Sequence, residues 1–97
     1  MLERDFQPHV IRAIKLTLSD AIVLKNDSSY QQGVPDLIVL HKDKWATLEV
    51  KRTLKSRPEP NQTYWVDRMN EMSFSAFINR DNMHDVLDVM FEYFLES

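Results

Sequence analysis

Three residues have the types and spacing to do chemistry: Asp36, in Pro35-Asp36, and Glu49 and Lys51, in Glu49-Val50-Lys51. Two carboxylates and an ammonium suit hydrolysis of a phosphodiester. That reaction needs an anchor for a hard cation, a nucleophilic water, and positive charge near the phosphate. Carboxylates and backbone carbonyls hold Mg²⁺ at about 2.0–2.1 Å and leave several waters in place. The cation lowers the pKa of a bound water and polarises the phosphate. Adjacent carboxylates repel, which raises the pKa of one unless a cation neutralises them. That cost is the reason to expect a metal ion at Asp36 and Glu49.

Strands must bring these groups together. Glu49 and Lys51 are two apart on an alternating segment, Trp45 to Lys51, so they share a face about 6–7 Å apart. Val50 points its side chain away, which leaves its backbone carbonyl as a third candidate metal ligand. Facing residues of an antiparallel hairpin have a constant index sum. A sum of 85 puts Asp36 opposite Glu49, and 87 puts it opposite Lys51. Both place the three on one face, whereas an even sum separates Asp36 from Glu49. The alternative is an exposed strand face, with Asp36 capping a turn.

The apolar pattern supplies the remaining elements. Phe6, Val10, Ala13, Ile14 and Leu18 recur at helical spacing, so residues 5–18 read as an amphipathic helix with Pro8 in its first turn. Ala21 to Leu24 reads as a strand and Asn26 to Gln32 as a polar loop. Pro35 to Leu40 reads as a central strand covered on both faces. Residues 52–60 form a basic loop containing Pro58 and Pro60. Asn61 is the expected N-cap of a helix reaching about Met72. Gln62, Trp65, Val66 and Met69 share one face of it, so Gln62 belongs near the carboxylates, positioning water or phosphate, or else capping the helix. Ser73 to Ile78 reads as a fourth strand. Asp81 or Asn82 caps a last helix with Met83, Val86, Leu87, Met90, Phe91 and Phe94 as its buried stripe. The order is α-β-β-β-α-β-α, an α/β fold with an antiparallel hairpin at its centre.

At 97 residues, one domain over 1–97 is expected. The chain has no cysteine, which excludes disulfides, thiolate metal sites and thiol nucleophiles. No signal segment and no membrane-spanning run occurs, so no membrane partner and an intracellular, cytoplasmic setting are expected. The net charge of -3 is unevenly spread: -1 over residues 1–41, +4 over 42–57 and -6 over 58–97. A phosphate backbone responds to the local positive field around 42–57. Arg52, Lys55 and Arg57 are the expected contacts with a nucleic-acid backbone, and Ser28, Ser29 and Tyr30 are candidates for phosphate. The rival view is a solvated hairpin and loop polarity alone. His9, His41 and His84 are dispersed and read as non-ligands. Trp45 and Trp65 read as core or interface residues.

Gly33-Val34-Pro35-Asp36, then Glu49-Val50-Lys51, then Pro60-Asn61-Gln62 at the start of a helix, resembles the PD-(D/E)XK nuclease superfamily. Within it, the chain resembles a stand-alone VRR-NUC (virus-type replication-repair nuclease) domain. The resemblance covers nearly the whole chain. It implies a restriction-endonuclease-like αβββαβ core with a C-terminal helix and a mixed sheet. It implies Mg²⁺- or Mn²⁺-dependent cleavage of DNA, often branched duplex such as Holliday junctions, by a homodimer, in a bacterial or phage-infected cell. Catalysis would fall to Asp36, Glu49, Lys51 and Gln62. Glu3 matches the family's helix glutamate and would join the metal ligands, with Asp5 as a substitute. Glu71-Met72-Ser73 stands where relatives often place a glycine turn. Two alternatives are a nonspecific or single-strand nuclease, and a catalytically silent DNA-binding module with the same fold.

Overall fold

The structure, a computed structural model, describes residues 3–27, 29–51 and 57–96, with side chains from residue 5 onward. The elements follow in the expected order: α1 (Glu3–Thr17), β1 (Ile22–Lys25), β2 (Leu37–His41), β3 (Lys44–Val50), α2 (Pro60–Met72), β4 (Phe74–Ile78) and α3 (Met83–Leu95). The sheet order is β1-β2-β3-β4. β1, β2 and β3 are antiparallel neighbours, and β4 runs parallel to β3 because α2 provides the crossover.

α1 and α3 pack on one sheet face and α2 on the other. The α1 stripe Phe6, Val10, Ile14 and Leu18 meets Leu37, Val39, Ala46, Leu48 and Ile78 from the sheet, and Leu87, Met90 and Phe94 from α3. This packing explains the first departure from expectation. α1 starts at Glu3, so Pro8 lies beyond the first turn rather than within it. A proline there forfeits a backbone bond and costs about 3 kcal/mol. Each large apolar side chain buried on the stripe returns about 1.5–3 kcal/mol, and Phe6, Val10 and Ile14 of α1, with Leu18 just past its end, are at most 3% exposed.

The strand covered on both faces is β3, not β2. In β3, Ala46 and Leu48 are buried against α1 and α3, while Thr47 and Glu49 are buried on the α2 side. β2 alternates between fully and partly buried residues, because α2 lies over β3 and β4 and stops short of β1. On that same face, Ile22 and Leu24 of β1 are 55% and 46% exposed.

α2 begins two residues earlier than expected. Glu59 takes the N-cap position and Pro60 is the first helical residue, so Asn61 lies within the helix. Proline fits there because its missing N–H would have no helical partner. Asn61 serves another purpose: a Cβ on Gly33 would lie 2.7 Å from its Cγ. Gly33 also has φ +86°, so the one glycine allows both the turn before β2 and the close approach of α2. Asn82 is the residue preceding α3. The turn from α2 into β4 needs no left-handed residue, since Ser73 has a negative φ (-152°) and its hydroxyl bonds to the Trp45 carbonyl.

Candidate active site

The β2–β3 register pairs Leu37 with Leu48 and Leu40 with Trp45, an index sum of 85. One step further, Asp36 stands opposite Glu49. The pair sits where the hairpin opens. Three contacts hold Asp36 there. Its Oδ2 accepts a hydrogen bond from the Val50 N–H at 2.8 Å. Its carbonyl accepts one from the Asn26 N–H at 2.8 Å. The Asn26 side chain donates to the preceding Pro35 carbonyl at 2.6 Å. Asn26 is the positioning residue that the sequence did not single out; a polar residue opening a polar loop carries no distinguishing signal.

Lys51 continues the strand, and its N–H donates to the Ile78 carbonyl of β4 at 2.8 Å. Its ammonium lies 5.9 Å from the centre of the Phe77 ring. Gln62, in the first turn of α2, joins the other two side chains. Its Oε1 accepts from Lys51 Nζ at 2.5 Å and from the Glu59 N–H at 2.9 Å. Its Nε2 donates to Glu49 Oε1 at 2.8 Å. One amide thus both caps the helix start and joins Lys51 to Glu49.

Glu49 is 4% exposed. Burial, and next the neighbouring Asp36 charge, push its carboxyl up to about 7, and Lys51 only partly offsets this. Its Oε2 is buried, with no hydrogen-bond partner among the described residues. A buried carboxylate oxygen left unpaired is costly, and a hard cation between the two carboxylates would relieve it. The donor chemistry therefore fits Mg²⁺ or Mn²⁺. Among the described residues, no third His, Asp or Glu completes a metal-binding group. Asp5 is exposed and does not complete one, and Pro8 does not exclude Glu3 from α1. The side chain of Glu3 lies outside the described residues.

Among the expected DNA contacts, Arg57 is exposed, and Ser29 is exposed but turned onto Asp27, whose Oδ1 accepts from its N–H at 2.9 Å and its hydroxyl at 2.6 Å. Ser28, Arg52 and Lys55 lie outside the described residues. The histidines serve elsewhere. Buried His41 has Nδ1 3.2 Å from Asp20 Oδ1, close but outside hydrogen-bonding alignment, and its ring meets Phe94 edge-on. Exposed His84 lies 3.3 Å from Asp88 within α3. Both tryptophans are half-buried, and Trp65 packs edge-on against Tyr64.

Among the described residues, no helix is long and apolar enough to cross a membrane. No protein-family description and no curated protein matches the sequence. Among solved structures, the chain shares its fold with a protein named "VRR_NUC domain protein", at a TM-score of 0.69 and 18% identity over 96% of this chain and 88% of that one.

Proposed function

We propose that this protein is a metal-dependent DNA endonuclease of the PD-(D/E)XK type, related to VRR-NUC domains. The observation that carries the reading is the joining of Glu49 and Lys51 by Gln62 beside Asp36, with one buried Glu49 oxygen left without a partner among the described residues. The fold shared with a VRR_NUC domain protein supports it.

Asp36, Glu49 and the Val50 carbonyl would hold Mg²⁺ or Mn²⁺, with Glu3 as a further candidate. Val50 directs its N–H toward Asp36, and in an antiparallel ladder a residue's carbonyl opens to the same side. When bound, the cation supplies Lewis acidity and lowers the pKa of a water. The chain's own groups do the rest. Lys51 places positive charge where the phosphate develops negative charge, and a fixed donor of this kind is worth about 10²–10³ in rate. Gln62 fixes the ammonium by accepting one hydrogen bond from it, leaving its other N–H groups for a phosphate oxygen or attacking water. Arg57, with Arg52 and Lys55, would contact the nucleic-acid backbone, and Ser28 and Ser29 are further candidates.

Branched duplex is the proposed substrate and a homodimer the proposed assembly. The two-fold symmetry of a four-way junction suits two copies, and a chain of 97 residues gains from burying surface in a partner.

The Asp36→Asn variant tests the chemistry, since it preserves shape while removing charge. Cleavage of a panel of four-way, flap, nicked and linear DNA in Mn²⁺ should disappear, with the fold retained by circular dichroism. Full residual activity would sink the assignment. Paired symmetric cuts on junctions by the unaltered protein support junction selectivity, and uniform degradation refutes it. Calorimetry with Mn²⁺ addresses the silent-module alternative, which predicts no heat dependent on Asp36 and Glu49.

A further inference from the structure

Next to the carboxylates, on the same sheet face, lies an open pocket of about 370 Å³. Its floor is Ile38 of β2, Thr47 of β3 and Met69 of α2, with Val34 at one wall. Ile38 is two residues from Asp36, and Thr47 is two from Glu49. The pocket therefore begins about 6–7 Å along the strands from the carboxylate pair. The Thr47 hydroxyl is already bonded to Ser75 at 2.7 Å, so it adds little polarity to the floor. Tyr30 stands on the rim, 91% exposed. Asn26, Asp27 and Gln31 also line the pocket.

The rim and floor select the occupant by chemistry. Among the described residues that line the pocket, Asp27 is the charged one, and its bonds from Ser29 keep its carboxyl below the usual range. A fixed anion repels phosphate but accepts hydrogen bonds from the exocyclic amines of bases. An apolar floor beside an exposed phenol ring suits a flat aromatic group, since bases stack on aromatic side chains whatever their sequence.

We propose that this pocket receives an unpaired nucleobase flanking the scissile phosphate, with Tyr30 as its stacking platform. The proposal rests on the nuclease reading for the position of the phosphate. A paired base cannot enter without leaving its stack, which costs a few kcal/mol in duplex and little at a flap, loop or junction branch. The pocket would thus make the enzyme select DNA with at least one unpaired nucleotide beside the cut.

The test uses Glu49→Gln as a cleavage-impaired background and 2-aminopurine placed in turn at each position of a single-stranded oligonucleotide. One position next to the cut made by the unaltered protein should be quenched on binding. Adding Tyr30→Ala should abolish that quenching and weaken single-strand binding about 10-fold, with blunt duplex binding changed by less than about twofold. Tyr30→Phe should restore both. Tyr30 is exposed, so its removal should leave the fold intact. Equal weakening on single strand and duplex, or uniform quenching, overturns the pocket. So does a fall in oligomeric mass with DNA binding unaltered, which would assign Tyr30 to contact with a second copy. Cleavage by the unaltered protein without position-specific quenching refutes the pocket alone. Absence of cleavage on every substrate refutes the nuclease reading, while the quenching still reports on the pocket.

Discussion

Glu49→Gln should stabilise the cation-free protein at alkaline pH and flatten its stability profile. The folded protein holds a proton on Glu49 up to about pH 7, against 4.5 for the unperturbed group. Between those values the native state binds more protons than the unfolded chain, so stability falls as pH rises. Each pH unit carries about 1.4 kcal/mol, so the full ramp is about 3 kcal/mol, present below pH 4.5 and lost above 7. Glutamine keeps the shape and the acceptor for Gln62 Nε2 without the charge. Urea unfolding in chelator at pH 5 and pH 8 measures the effect. Comparing the variant with the parent cancels the histidines, which titrate in the same window. The parent should lose about 2–3 kcal/mol more than the variant across that range. Equal losses, or a parent that gains stability relative to the variant, would refute the claim that burial and Asp36 hold the proton. Mn²⁺ should reverse the trend in the parent, because the cation competes with the proton and favours the site more at pH 8 than at pH 5.

Other outcomes follow from single contacts. Gln62→Ala should lower kcat about 10-fold or more through loss of the Lys51 and Glu49 positions; Gln62→Glu should lower it further by placing a third charge beside Glu49, and single-turnover rates in Mn²⁺ check both. Gly33→Ala should cost about 1–2 kcal/mol from its left-handed backbone, with the approach of Asn61 adding to it, as read by thermal melting. Lys42, at φ 57° in the two-residue hairpin turn, should tolerate glycine well: about 1–2 kcal/mol of relieved strain outweighs about 0.5–1 kcal/mol of extra chain entropy, giving a small rise in melting temperature.

The hairpin was legible because two constraints agreed. Alternation from Trp45 to Lys51 set one strand's face, and index-sum parity then limited where Asp36 could be. Gln62 was legible because i, i+3, i+4, i+7 spacing put it on the face of Val66 and Met69. What could not be read was set by partners distant in sequence. Pro8 is a helix-start signal locally, yet the core packing of Phe6 and Val10 extends α1 past it. Asn61 is a good cap by type, but proline preceding it made Glu59 the cap and left Asn61 to meet Gly33. β2 reads as a fully covered strand from its own apolar run, whereas coverage depends on where α2 stops. Asn26 gave no signal because its partner, the Pro35 carbonyl, has no side-chain identity.

The far end of the hairpin holds something else. Lys44, just past the turn, donates to the carbonyls of Tyr93 at 2.7 Å and Glu96 at 3.0 Å, and its ammonium lies 5.0 Å from the centre of the Tyr93 ring. A cation at the carbonyl end of a helix satisfies groups that the helix itself leaves open. The hairpin thus works as a latch across a separation of 49 residues, with the acids at one end and the last turn of α3 at the other. The turn is local and can form early, whereas the latch closes only when α3 docks. Amides in the last turn of α3 should therefore exchange hydrogen in step with the hairpin, and freeing Lys44 should fray the helix terminus before it disturbs the carboxylates.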